Sequence, residues 1–134
     1  MPKKNSKPSA EAAEVMFNCS FELQCATWLM QDGWQVFTPV LDHGHKTDLL
    51  VSDGKHYYPI QVKATESVDE HIEIENKWKG SLVKLVIYFA KNSNWGYVIP
   101  AFDTNRKKLD QAGGERFQQT KNSFLKAFHL VSVK

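Results

Sequence analysis

Glu22, Asp48, Gln61 and Lys63 are polar residues placed where apolar neighbours would be expected, and their types together suit one kind of chemistry. Gln61 and Lys63 fall in the run YYPIQVKAT, which reads as a strand. Successive side chains of a strand point to opposite faces, so Tyr58, Ile60, Val62 and Ala64 share one face and Pro59, Gln61, Lys63 and Thr65 the other. Taken alone, that second face is the solvated side of an edge strand. Glu22 changes the picture, because it sits in the middle of the apolar side of a helix, where a carboxylate is rarely buried unless it is paired or binds a metal. Two arrangements satisfy that requirement: a buried ion pair with a lysine, for which Lys63 is a candidate, or a carboxylate at the edge of a metal site. Asp48, at the start of the preceding strand, brings a second carboxylate beside Gln61. Hard oxygen donors with open positions suit Mg²⁺, which takes one or two protein carboxylates and completes its octahedron with water and substrate phosphate. A lysine at that point can orient an attacking water or offset charge on a phosphorane.

Periodicity and punctuation define the elements that must position these groups. Ser9 can cap a helix over Ala10–Gln31, with Glu11 and Glu14 near its positive end and Gly33 just past its finish. At about 100° per residue, Val15, Cys19, Ala26 and Leu29 cluster on one side with Glu22, and Ser20, Gln24, Thr27 and Gln31 on the opposite side. Strands are expected over 34–38, 47–52 and 57–65, the last two joined as a hairpin by Asp53-Gly54. Residues 66–80 are polar and fit either a short helix or an irregular connection. A strongly apolar strand over 82–90 turns at KNSN into Trp95–Pro100. Gly113-Gly114 break the next segment, a helix is expected over 116–128, and a last strand over 130–133. The expected fold class is α/β: a central mixed β-sheet with the first helix on one face and the C-terminal helix on the other.

The stretch DLLVSDGKHYYPIQVK, an Asp followed after twelve residues by Q-x-K, resembles the core of the PD-(D/E)XK nuclease superfamily, in a variant with Gln where the second acidic residue usually stands. SFELQCATWLMQDGW is similar to the first helix of the Holliday-junction resolvase-like branch, with Glu22 eleven positions before Gly33. Q-x-K examples also occur among homing endonucleases of this superfamily. The resemblance covers residues 15–65 and, more loosely, VIYFAKNSNWGYVIP. It implies a restriction-endonuclease-like αβββαβ core. Asp48 would be the metal-binding Asp, Gln61 the residue in the second acidic position, Lys63 the catalytic lysine and Glu22 the helix acid. Thr47 stands in place of the proline of the PD pair, and Gln61 brings an oxygen without a charge. The activity implied is Mg²⁺-dependent DNA endonucleolytic hydrolysis, with Mn²⁺ as a substitute. The substrate would be duplex or branched DNA, with a junction-selective role favoured and a homing or restriction-type role as the alternative. Cutting both strands of a duplex implies a homodimer. A degenerate nucleic-acid-binding module and a protein-interaction domain with a Glu22–Lys63 pair are the competing classes.

The bulk properties agree with a nucleic-acid partner. The net charge of +2 conceals a segregation. Residues 1–76 hold 6 Lys/Arg against 12 Asp/Glu, and residues 77–134 hold 11 against 3. The basic half includes Lys77, Lys79, Lys84, Lys91, Arg106, Lys107, Lys108, Arg116, Lys121 and Lys126, which suit either a phosphate-binding surface or a solubilising one. With 134 residues and 42% hydrophobic content, residues 10–134 are expected to form a single domain behind a basic tail over 1–9. No apolar run is long enough to span a bilayer and the N-terminus lacks a signal-peptide stretch, so an intracellular, cytoplasmic, nucleoid-associated protein is expected. Cys19 and Cys25 lie six apart on one helix and are expected to stay reduced. Asp42, His43, His45 and Asp48 form a possible transition-metal cluster, although His43, His45 and Lys46 fit phosphate contacts better beside a nuclease site. Trp34, Trp78 and Trp95 could stack on bases, but core packing is the stronger expectation.

Overall fold

A computed structural model describes residues 1–41 and 44–131 of the chain. Residues 1–9 are exposed and belong to no helix or strand. Helix α1, Ala10–Gln31, starts where the side chain of Ser9 accepts a hydrogen bond from the Ala12 amide at 3.1 Å and ends before Gly33, whose φ of +92° suits a residue without a Cβ. The strands are β1 (Gln35–Phe37), β2 (Leu49–Ser52), β3 (Tyr57–Thr65), β4 (Glu73–Glu75), β5 (Leu85–Ala90), β6 (Trp95–Pro100), β7 (Arg106–Lys108) and β8 (Glu115–Gln118). Helix α2 runs over Lys121–Leu130 behind a Thr120 cap.

Six strands form one mixed sheet in the order β1-β2-β3-β5-β6-β8, and β4 pairs with β7 in a separate antiparallel sheet. The only parallel pair in the large sheet, among the described residues, joins β3 to β5. The apolar sequence of β5 is buried throughout, as a central strand covered on both faces must be. On one face, Leu49, Val51, Ile60, Leu85, Ile87 and Phe89 pack against Phe21, Cys25, Trp28 and Leu29 of α1 and Phe124, Ala127 and Phe128 of α2. On the other, Val86, Tyr88, Trp95 and Ile99 pack against Ile74, Trp78, Phe102 and Leu109.

The α/β class and the central mixed sheet are as the sequence led us to expect. The layer arrangement differs, because both helices lie on the same face. The opposite face is covered by the β3–β5 crossover and by the β4–β7 sheet, so the polar stretch after β3 carries a strand and turns instead of a helix. Residues 115–118 pair antiparallel beside β6 as strand β8, and the C-terminal helix begins at Lys121; of the expected final strand, Leu130 ends α2, Val131 caps it, and the rest lies outside the described residues. The apolar side of α1 is rotated from expectation: Val15 is 57% exposed, whereas Phe21 and Trp28 are buried. Aromatic rings on Phe89 and Phe124 draw those two side chains inward and leave the smaller Val15 outside. The hydrophilic side, with Ser20, Gln24, Thr27 and Gln31, is exposed as expected.

One glycine fixes the packing of β6. A Cβ at Gly96 would fall on the Phe117 ring and the Tyr88 carbonyl. Gly96→Ala should therefore destabilise the fold by about 1–3 kcal/mol, the usual cost of forcing volume into a packed core, read as a lowered denaturation midpoint with an unchanged slope.

Candidate active site

The candidate residues meet where β3 outruns β2. Strand β2 pairs with β3 only as far as Leu49 opposite Ile60, while β5 follows β3 on its other side to Thr65. From Gln61 onward one edge of β3 therefore has no strand beside it among the described residues. Asp48 closes the gap at its first residue: its amide donates to the Ile60 carbonyl at 2.9 Å, and its carboxylate Oδ2 accepts from the Val62 amide at 2.8 Å. The carboxylate thus continues the hydrogen-bond ladder that β2 has left, which fixes its orientation at the mouth of a cleft of about 340 Å³. Asn18, Glu22, Asp48, Gln61, Lys63 and Lys77 all line that cleft.

Glu22 reaches the cleft from above the sheet and Gln61 and Lys63 from below. Val62 and Ala64 pack into the core beneath the helices, whereas Gln61 and Lys63 stand in register with Val86 and Tyr88 of the opposite core. A helix on one face and side chains on the other can meet only around a free strand edge. That is the local geometry that makes Gln61 and Lys63 half-buried.

The Gln61 amide is held at one end alone. Its Nε2 donates to the Lys46 carbonyl at 3.3 Å, and its Oε1 is sealed from solvent and meets no donor among the described residues. Lys63 donates from Nζ to the Glu75 carbonyl at 3.3 Å. Burial holds its pKa below the usual lysine value, the Lys77 charge pushes it further down, and Glu75 opposes the shift. Burial likewise pushes the Cys25 thiol up, with the neighbouring Glu22 charge adding to it. Both cysteines are free thiols.

The donor set fits a hard divalent cation. It offers carboxylate oxygens from Glu22 and Asp48 and an unsatisfied amide oxygen from Gln61. No group of three or more His, Cys, Asp or Glu side chains suited to a metal occurs among the described residues. The expected Asp42, His43, His45 and Asp48 cluster cannot be placed, since Asp42 and His43 lie outside the described residues. His45 and Lys46 instead line a second cleft of about 210 Å³ with Thr47, Lys79 and Ser81, and Lys46 adopts a φ of +68° there.

Six of the other basic residues have distinct placements. Lys77 stands in the main cleft and pairs with Glu75 at 3.3 Å. Arg106, Lys107 and Lys108 are all exposed on β7, next to β4, whose last residue is the Glu75 that Lys63 touches. Lys91 and Arg116 serve the fold: Lys91 is nearly buried over the Phe17 ring, and Arg116 donates from Nε to Glu70 at 2.7 Å. Trp78 and Trp95 are buried core residues and Trp34 packs half-buried against Tyr58 and Phe128, as core packing predicts. Asn18 was not foreseen in the sequence. The signal that would have found it is its position, one helical turn before Glu22.

The chain is similar in fold to a solved bacterial homing endonuclease (I-Ssp6803I), with a TM-score of 0.53, 14% sequence identity and 75% of each chain covered. No family model matches the chain, and no curated protein matches it. No helix among the described residues is long and apolar enough to cross a membrane. The fold is an endonuclease-like fold.

Proposed function

We propose that the protein is a divalent-cation-dependent DNA endonuclease whose active site is the cleft at the free edge of β3. The observation that carries this reading is the Gln61 oxygen, which meets no donor among the described residues, in a cleft that also holds two carboxylates and a lysine whose ammonium is partly desolvated. Asp48, Gln61 and Glu22 would hold Mg²⁺ or Mn²⁺, which when bound supplies a Lewis acid for the phosphodiester and an acidified water. Asp48 is braced for this by the Val62 amide, and Gln61 by the Lys46 carbonyl. Lys63, anchored on the Glu75 carbonyl, orients the attacking water and offsets charge developing on the phosphate oxygens. The reaction adds water across a P–O bond and releases one phosphate end and one hydroxyl end.

The DNA would lie across Lys77 and the basic strand β7 on one side and His45, Lys46 and Lys79 on the other. Double-strand cutting requires two such sites, hence a homodimer. The sequence resemblance favours a junction-selective substrate, with a homing or restriction-type one as the alternative, and the solved structure similar in fold is a homing endonuclease. Supercoiled plasmid, linear duplex and four-way junction, each incubated with Mg²⁺, with Mn²⁺ and with chelator, separate these readings. Cleavage only with metal supports the enzyme, and the preferred substrate assigns the class. Tight DNA binding with no cleavage of any of the three would identify a degenerate binding module.

The placement of the DNA makes its own prediction. Each neutralised phosphate releases about 0.9 of a counterion from duplex DNA. Reversing Lys107 and Lys108 should weaken binding uniformly across sequences and flatten the salt dependence by about one unit per lost contact, measured as log affinity against log salt. Reversing Lys3, Lys4 and Lys7 of the exposed N-terminal segment should change the slope less; the opposite ranking would move the DNA to the tail.

A further inference from the structure

Among the described residues, two buried side-chain oxygens lack a hydrogen-bond donor: Oε1 of Gln61 and Oδ1 of Asn18. Both belong to residues lining the same cleft. Buried polar atoms in folded proteins are almost always paired, so two exceptions in one place call for a common explanation. Both atoms are acceptors that the lysines of the cleft leave without a donor, and a bound cation would satisfy both at once. Resting on the divalent-cation reading of the cleft, we infer that Asn18 supplies a further oxygen ligand to that cation.

The position of Asn18 on α1 supports this. At about 100° per residue it falls within the arc spanned by Phe21, Cys25 and Leu29, the sheet-facing side of the helix, and it stands four residues before Glu22 on the same face. A residue in that stripe is normally apolar, and an Asn there disfavours the helix without adding to the core. The ligand set becomes two carboxylates, Glu22 and Asp48, and two neutral amides, Asn18 and Gln61. Its formal charge of −2 balances one divalent cation, and four protein oxygens leave two positions of an octahedron for a phosphate oxygen and a water. The neutral Gln61 in the second acidic position is then matched by a second neutral donor from the helix. The site is thereby suited to a single hard cation.

Mn²⁺ binding to the full chain, followed by the loss of the free-ion paramagnetic resonance signal, tests this without any cleavage readout. The set is the parent, Asn18→Leu, Asn18→Asp and Asp48→Asn. Asn18→Leu should weaken Mn²⁺ binding by about tenfold or more, the range for losing a group that tunes a metal site. Asn18→Asp should bind Mn²⁺ at least as tightly as the parent, because it keeps the oxygen and adds charge. Without metal, Asn18→Leu should melt at or above the parent temperature, since an orphaned oxygen has been replaced by an apolar group, and it should show a smaller rise in melting temperature on adding Mn²⁺. Parent-like Mn²⁺ affinity in Asn18→Leu, with affinity lost in Asp48→Asn, would overturn the role of Asn18 and leave the proposed function standing. No effect of either substitution on Mn²⁺ binding would overturn both.

Discussion

Asp48→Asn should lower cleavage by at least 10²–10³-fold, on the order of the loss when one charge-stabilising group is removed from a preorganised site, while duplex affinity stays near that of the parent. The choice of Asn is dictated by the second task of the side chain. Asp48 accepts the Val62 amide hydrogen bond at the point where β2 ends, so Asp48→Ala would also leave a backbone donor of β3 unsatisfied and mix a stability loss into the kinetics. Asn retains an oxygen for Val62 and removes the charge. Nicking of supercoiled plasmid at saturating Mg²⁺, beside a binding titration on the same duplex, separates chemistry from docking. A variant that nicks at the parental rate would remove Asp48 from the site.

Lys63→Met should produce the second large effect, with opposite signs for stability and activity. The folded-state pKa of Lys63 lies below its usual value of 10.5 because of burial and the Lys77 charge. Between that lowered value and 10.5 the unfolded chain binds more protons than the fold, so stability rises with pH across this window. Below the window the desolvated charge carries its full cost. Lys63→Met should therefore raise the melting temperature at neutral pH, and the gain should shrink through the window and vanish above about 10.5. Cleavage should fall by about 10²-fold or more at pH values below the lowered pKa, where the parent carries the ammonium, as expected when a transition-state charge partner is lost, and the gap should narrow above it. In the parent, cleavage should decline as pH rises through the lowered pKa, earlier than for an ordinary lysine. A destabilised Lys63→Met at neutral pH would mean that the ammonium is held by a stabilising ion pair, as in the Glu22–Lys63 alternative.

Much of the candidate site is legible in the sequence, because its residues violate local rules. A Glu in the apolar part of α1 and a Gln and Lys in a half-buried strand are conflicts between pattern and environment, and such conflicts concentrate at functional sites. The strands β3 and β6 and the helix α1 are equally legible, since each has strong periodicity or clear punctuation at its ends. The layer arrangement is not. Nothing local in 116–128 distinguishes a helix on either face, and the break between β8 and α2 is made by tertiary pairing of Phe117 opposite Gly96. The rotation of α1 is hidden for a related reason: apolar residues occur all round it, with Val15, Met16, Phe17, Leu23 and Met30 exposed, so periodicity alone selects the wrong stripe. Asn18 escapes notice because an Asn beside a misplaced stripe reads as an ordinary exposed residue.

Anomalous scattering from a crystal of the protein equilibrated with Mn²⁺ tests the central claim most directly. One peak should appear in the cleft at the free edge of β3, about 2.1 Å from oxygens of Asp48 and Gln61, a distance in keeping with a small hard cation. A cleft without Mn²⁺ at saturating concentration, with the Lys63 ammonium seated on the Glu22 carboxylate, would contradict it.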